Sequence, residues 1–329
     1  FKTEGDTEVI LKLYEKLGER FVQKLIGMFS ICIFDKNKKK ILIYRDRFGI
    51  KPLYYHISQN SFHFSSSLFS LKKVLNLKKS QDSFFLYLCF NYFPSQKSAY
   101  ENVNSLLPGN FIKIENNNIK IEKYYDPFKE KNNMGVEKYN HEIFKKIMNN
   151  SISINLRSDV SLGLMMSSGI DSSIIVNESN KLKKNLKAYT VNFQDKKDNE
   201  GFLASKFAKE LKINHEIINL KEDDATNLLS QILKNMDEPC GDTAIIPSYL
   251  ISKKAKLDGI KVLLSGAGGD EIFAGYSRHY INFFTFFYGI LNFLKIKEHK
   301  LIKIVPYKIQ NILFKSFNKK YAYICNTSG

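Results

Sequence analysis

The hydrophobic pattern of this chain changes rhythm after residue 125. Before that point, apolar residues come mostly in short runs separated by polar turns. The opening stretch "EVILKLYEKLGERFVQKL" is the exception: its spacing predicts a helix with Val9, Leu13, Leu17 and Phe21 on one side. Runs at Phe29–Phe34 and Ile41–Tyr44 flank Asp35-Lys-Asn and predict a hairpin. "SFHFSS" predicts a third strand, and "LLPGNFIKIENNNIKIEKYY" two more about a turn at Asn116–Asn118. "RDRFGIKPLYY" reads as a hairpin with Gly49 and Pro52 as turn residues. Residues 1–125 are therefore expected to be β-rich after one opening helix. The polar stretch "DPFKEKNNMGVEKY", with Pro127 and Gly135, predicts a linker over 126–136.

From residue 137 to 329 the pattern predicts a second domain. Helix 137–155 leads to strand 162–166, helix 172–184, strand 187–193, helix 200–211 and strand 215–219. Helices 222–236 and 246–257 and strand 261–264 follow. This alternation predicts a parallel sheet covered on both faces, so the whole is an α/β two-domain chain. Ligands of such sheets sit at the carboxyl ends of the strands. The loops after strands 162–166, 187–193 and 261–264 should then face one crevice. The apolar stretch "YINFFTFFYGILNFL", Tyr280 to Leu294, is shorter than the ~20 residues that span a bilayer. It predicts a buried or partner-facing helix and no membrane partner.

Composition narrows the picture further. The 329 residues suit about two domains. The formal charge of +17 raises nucleic acid as a partner, but the lysines are scattered and no Arg-rich stripe alternates with aromatics. No nucleic-acid partner is expected. The four cysteines, Cys32, Cys89, Cys240 and Cys325, form no C-x-x-C pair, which gives zinc and iron–sulfur sites no support. Their wide spacing predicts reduced thiols and a cytoplasmic location. The chain starts at Phe1 with sequence that reads as mid-domain, so a fragment is expected.

Candidate chemistry lies in two strand-end loops of one design. The first is "LMMSSGIDSSII", where Ser167, Ser168 and Gly169 precede Asp171, Ser172 and Ser173 at a helix start. The second is "KVLLSGAGGDEIFAGY", where Ser265 and Gly266 precede Asp270 and Glu271. Small residues let backbone N–H groups approach a phosphate, and a helix N-terminus favours its charge. A carboxylate in such a loop repels phosphate unless a hard cation intervenes. Mg²⁺ commonly bridges one or two carboxylates to phosphate oxygens. Asp171 and Asp270 are the candidate ligands. The plainer alternative makes each of them a helix N-cap after a tight turn. Neither loop is a G-x-x-x-x-G-K-[ST] or a G-x-G-x-x-G motif.

"LRSDVSLGLMMSSGIDSS" resembles the pyrophosphate loop of N-type ATP pyrophosphatases. "MDEPCGDTAIIPSYLISKKAK", the second loop and, in the amino half, "EGDTEVI", "GMFSICIFD", "RDRFGIKPLYY" and "LLPGNFI" narrow the likeness to glutamine-dependent asparagine synthetases. The resemblance runs in order from about residue 4 to 280. It implies part of an Ntn-hydrolase-type glutaminase domain over 1–125. It implies an ATP pyrophosphatase domain, adenine nucleotide α-hydrolase-like, over 137–329. In this family glutamine is hydrolysed in one domain and ammonia passes through a tunnel to the other. There ATP activates the aspartate side chain as an acyl-adenylate, releasing pyrophosphate, and ammonia displaces AMP.

Carried over by motif, Ser167, Ser168, Gly169, Asp171, Ser172 and Ser173 resemble the pyrophosphate loop. Asp171 and Asp270 resemble the Mg²⁺ ligands. Met165, Val191, Ser265 and Gly266 sit where the family contacts adenosine, and Asp6 resembles the aspartate that binds the α-amino group of glutamine. For Asp6 a helix N-cap is the alternative. Asp237 and Glu238 are candidates for the acceptor pocket, with solvated helix-end charge as the alternative. ATP and Mg²⁺ are the implied cofactors, glutamine and aspartate the implied substrates, and a homodimer is left open.

The chain also departs from the family. No cysteine matches the context of the family's amino-terminal nucleophile, and the family's later lysine that stabilises polyphosphate lies beyond Gly329. Ser168 replaces a usual glycine. At Ser67-Leu68-Phe69 the usual glutamate is absent. Ala267 stands where many relatives carry Glu or Asp. Three readings therefore stay open: a partial asparagine synthetase, an amidotransferase of another acid (a sugar acid or a peptide), or an inactive fragment serving as a binding or scaffold chain.

Overall fold

The structure, a computed structural model, describes residues 1–59, 61–127, 129, 139–193 and 200–276. The Tyr280–Leu294 segment, Cys325 and most of the expected linker lie outside the described residues. The described residues divide into two compact units. One comprises 1–144 with 222–249, the other 145–221 with 250–276.

The first unit opens with α1 (Asp6–Leu17) and a 3-10 turn over Gly18–Lys24. Gly18, at φ +59, ends the helix and resets its phase. The buried face is consequently not the one expected from spacing. Ile10, Leu13 and Tyr14 pack inward with Phe21, whereas Val9 and Leu17 are exposed.

Strands β1 (Ser30–Asp35), β2 (Lys40–Arg45), β6 (Asn110–Glu115) and β7 (Asn118–Lys123) form an antiparallel sheet in the order β1-β2-β6-β7. Alternate residues of β2 serve opposite faces, as strand geometry requires. Leu42 and Tyr44 join Phe21, Val22, Ile33 and Phe111, while Ile43 joins Leu53, Tyr55, Leu106 and Ile112. Tyr44 stacks on Phe111 at 4.8 Å and meets Phe21 edge-on at 5.1 Å. The hairpin between β6 and β7 turns on Asn116 and Asn117, both at positive φ, as a two-residue turn of this kind demands.

A second antiparallel sheet, β4-β3-β5, consists of β3 (Tyr54–Ile57), β4 (Phe62–Ser65) and β5 (Val103–Ser105). The "RDRFGIKPLYY" stretch is therefore a corner between two sheets and not a hairpin, because β2 and β3 never pair. Two side chains at its start hold the corner. Asp46 accepts from the N–H groups of Phe48, Ile50 and Lys51 at 2.9–3.1 Å. Arg45 donates to the carbonyls of Lys51, Gly49 and Leu106 and to Ser105 Oγ.

The expectation of one helix in this region is also corrected. Helices α2 (Leu68–Val74) and α3 (Gln81–Phe90) lie between β4 and β5. The apolar run in α3 carries no helical period, yet its ends are marked. Ser80 Oγ accepts from Ser83 N at 3.1 Å, and Asn91 closes the helix in the left-handed region.

The second unit is the expected parallel sheet. Strands β8 (Leu162–Met165), β9 (Lys187–Phe193), β10 (Asn214–Leu220) and β11 (Val262–Leu264) take the order β10-β9-β8-β11, every pair parallel. In chain order the helices here are α4 (His141–Asn155), α5 (Ile170–Leu182), α6 (Glu200–Glu210), α7 (Glu222–Lys234), α8 (Ile245–Leu257) and α9 (Gly269–Phe273), of which α7 belongs to the first unit. Ala188, Tyr189, Thr190 and Val191 are buried in succession, so β9 is covered on both faces. Leu162, Leu164 and Met166 pack with Ile152, Val176, Ala204 and Ala208. Among the described residues no helix is long and apolar enough to cross a membrane.

Candidate active site

The two Ser/Gly loops leave neighbouring strands. β8 and β11 pair in register, Val262 with Leu162 and Leu264 with Leu164, so their carboxyl ends finish side by side. The loop after β8 runs through Ser167 and Gly169 into α5. The loop after β11 runs through Ser265 and Gly268 into α9.

Contact between the loops is tight enough to dictate glycine. A Cβ on Gly266 would lie 2.8 Å from Ser172 N and 3.0 Å from the Asp171 carbonyl carbon. A Cβ on Gly269 would meet Asp171 Oδ2. Gly268 is needed for another reason: its φ of +99 is one that other residues rarely adopt. The structure thus brings Asp171, Ser172, Gly266 and Gly269 together, with Asp270 next in the chain.

Neither aspartate is a helix cap. α5 has Gly169 at its N-cap and α9 has Gly268, and no side chain caps either helix. Asp171 and Asp270 sit in the first turns and are half-buried. Their oxygens suit a hard cation. Among the described residues no group of three or more His, Cys, Asp or Glu could hold a metal ion unaided. Two carboxylates from neighbouring loops are oxygen donors of the kind that would suit Mg²⁺.

The serines divide into two roles. Ser172 is buried, and its hydroxyl lies within bonding distance of Ser167 O, Gly169 O and Ser167 Oγ, while accepting from Ser167 N at 3.2 Å. Ser173 Oγ donates to Gly169 O at 2.8 Å. These hydroxyls brace the loop from within. Ser168, by contrast, is exposed. In the second loop Ala267 N donates to Ser265 Oγ at 3.4 Å and the Ala267 methyl is exposed. Glu271 accepts from Tyr276 OH at 3.0 Å, which gives it a place in the turn that follows α9. Met165 is half-buried at the end of β8 and Val191 is buried in β9.

Asp6 belongs to the first unit. It is the first residue of α1, whose N-cap is Gly5 without a side-chain bond, so the capping alternative is excluded here too. Asp6 lines a cleft of about 600 Å³ together with Thr7, Phe29, Ile31, Cys32 and Lys51. Cys32 is exposed at the cleft, and desolvation by its surroundings pushes its thiol up.

Asp237 and Glu238 also fall in the first unit, and both are engaged. Asp237 Oδ1 accepts from Ser67 Oγ at 3.0 Å and Phe69 N at 2.9 Å. Glu238 accepts from Ala99 N at 2.8 Å and Tyr54 OH at 3.3 Å, and burial pushes its carboxyl above the usual range. These bonds tie the 222–249 segment to its own unit, so neither carboxylate is simply solvated helix-end charge. Thr190 and His215 carry no motif; a Thr in a buried strand and a His in the edge strand beside it are the only signal in the sequence.

Comparison with known proteins agrees with this geometry. The asparagine synthase family model matches residues 144–307, and that of the glutamine amidotransferase domain matches residues 1–125. A Methanocaldococcus jannaschii protein classed with the glutamine-hydrolysing asparagine synthetases is 34% identical over 315 residues, covering 91% of this chain and 59% of its own length. Glutamine-hydrolysing asparagine synthetase 1 of Bacillus subtilis is 32% identical over 282 residues, covering 84% of this chain and 44% of its own. The amidase chyE of Penicillium rubens is 25% identical over 296 residues, covering 83% and 43%. The chain spans about half the length of the curated relatives it matches. With an amidotransferase match over its antiparallel sheets and an asparagine synthase match over both Ser/Gly loops, the chain belongs to the glutamine-dependent asparagine synthetase family.

Proposed function

We propose that the second unit carries out ATP-dependent amidation of a carboxylate, with aspartate as the acid and asparagine as the product. One observation carries the reading: β8 and β11 end side by side in two interlocked Ser/Gly loops, each followed by an aspartate. The first turn of α5, which follows the Ser167–Gly169 loop, offers N–H groups to the phosphates of ATP. Met165, Val191, Ser265 and Gly266 lie at the adenosine end. Asp171 and Asp270 would hold Mg²⁺, which when bound offsets the charge of the polyphosphate.

An oxygen of the acid attacks the α-phosphorus of ATP, and pyrophosphate leaves. The acyl-adenylate then has AMP as its leaving group, which divides one difficult step into two easier ones. Ammonia attacks the acyl carbon, the amide forms and AMP departs with the oxygen of the acid. The chain's own contribution is positioning and charge stabilisation. Ammonia derives from glutamine, whose α-amino group Asp6 would bind in the cleft of the first unit.

One residue bears on a second reading, in which the acid is not aspartate. The exposed methyl of Ala267 beside Gly266 supplies no general base there. Screening acids for pyrophosphate release, with ATP, Mg²⁺ and ammonium present, tests both readings. Release that depends on aspartate supports asparagine synthesis. Release that depends on a different acid moves the assignment to that acid, and acid-independent hydrolysis of ATP to ADP sinks both.

A further inference from the structure

We propose that Thr190 and His215 are positioning residues for the first loop, fixing through the Met166 carbonyl the peptide from which the Ser167–Ser173 loop departs. The proposal rests on the reading of that loop as a nucleotide site.

In the parallel register of β9 and β10, His215 lies opposite Ala188. Thr190 is two residues further along the same face. Thr190 is buried, and its Oγ1 lies 2.8 Å from Met166 O and 2.8 Å from His215 Nε2. A hydroxyl has one proton to give, and a carbonyl oxygen can only accept. The Thr190 proton therefore goes to Met166, and His215 must donate from Nε2 to Thr190 Oγ1. That leaves Nδ1 as an acceptor, 3.5 Å from Ser205 Oγ on α6. One tautomer of the neutral ring satisfies all three partners.

Met166 is the last residue before the loop. Its N–H donates to Tyr189 O at 2.9 Å, completing the ladder between β8 and β9. The next peptide is held on both sides: its carbonyl by Thr190 Oγ1, its N–H by Ser172 Oγ at 3.2 Å. The plane of this peptide sets the direction in which the loop leaves the sheet, and hence where its N–H groups point. A buried threonine and a half-buried histidine could be placed anywhere along β9 and β10 to satisfy each other. Their convergence on the carbonyl that precedes the loop links them to its geometry.

The test uses the 329-residue chain with Mg·ATP as the probe. Hydrogen exchange over residues 162–176 reads the order of the loop, and titration reads the affinity. Thr190→Val and His215→Leu should each speed loop exchange and weaken Mg·ATP binding about tenfold, as loss of one buried hydrogen bond allows. The double variant should be no worse than either single one. His215→Gln, which restores an uncharged N–H donor, should recover most of both. Wild-type exchange and affinity in Thr190→Val would overturn the proposal. So would equal damage from His215→Gln and His215→Leu, or an equal rise in exchange over control residues 145–155. If the wild-type chain binds no Mg·ATP, the nucleotide reading of the loop fails, while the exchange data still decide the positioning claim.

Discussion

Gly266 touches the backbone of Ser172 so closely that a single added carbon would lie 2.8 Å from the Ser172 nitrogen. This contact locks the loop after β11 onto the loop after β8, and it involves main-chain atoms that cannot rotate aside. Gly266→Ala must separate the loops, and overpacking of this kind costs about 1–3 kcal/mol. Mg·ATP affinity should fall about 5-fold or more, in line with that range, and titration of the variant checks it. Wild-type affinity would show that loop contact does not shape the site.

Asp171 and Asp270 offer a sharper contrast with a structural role. A capping aspartate replaced by a non-capping residue costs about 1 kcal/mol. Neither aspartate makes a cap bond. Asp171→Ala and Asp270→Ala should therefore leave thermal stability within about 0.5 kcal/mol of wild type. Acid-dependent pyrophosphate release should nonetheless fall ~10²-fold or more, as for loss of a group that stabilises developing charge. Scanning calorimetry beside a pyrophosphate assay separates the two. A clear loss of stability with unchanged release would return both residues to the role of caps.

In the first unit, Asp237 holds Ser67 and the start of α2. Asp237→Ala leaves the Phe69 N–H without its acceptor. The bond is exposed, so its loss costs about 0.5–1.5 kcal/mol. Faster hydrogen exchange over 67–71 is the expected readout, with exchange across β8 and β9 unchanged. Uniform exchange in both units would refute this local role.

His215 gives the second unit a pH dependence of definite sign. Burial lowers its pKa from the ordinary 6.5, against a smaller opposing effect of Glu216. Between the two values the unfolded chain binds more protons than the folded one, so stability falls as pH drops below 6.5 and stops falling below the folded value. Melting temperature followed from pH 8 down to pH 5 should decline more for wild type than for His215→Gln. Parallel curves would mean that His215 titrates as it does in the unfolded chain.

Much of this was legible in the sequence, and the failures have physical causes. Strands and helices of the second unit follow the alternation expected of a parallel sheet, and β9 spans the expected 187–193. The Asn116–Asn117 turn could be read because few residues tolerate two positive φ angles in a row. The phase of α1 was misread because Gly18 interrupts it, and the α-helical spacing does not continue to Phe21. α3 escaped notice because "FFLYLCF" has no polar face, so only its caps marked it as a helix. The corner at Arg45 and Asp46 looked like a hairpin because its turn residues are real. What makes it a corner is hydrogen bonding to Ser105 and Leu106, some sixty residues away. Of the candidate site, the loop residues were legible from composition and order. The bracing of Ser172 and the reach of Thr190 to Met166 depend on which strands lie side by side, which local pattern does not encode.

The central claim is that these loops adenylate a carboxylate, and the fate of one oxygen tests it most directly. Aspartate labelled with ¹⁸O in its side-chain carboxylate is supplied with ATP, Mg²⁺ and ammonium, and the products are analysed by mass. Attack on the α-phosphorus predicts that one ¹⁸O appears in AMP, in step with asparagine formed, while pyrophosphate stays unlabelled. Label in inorganic phosphate, with ADP as the nucleotide product, would contradict the account.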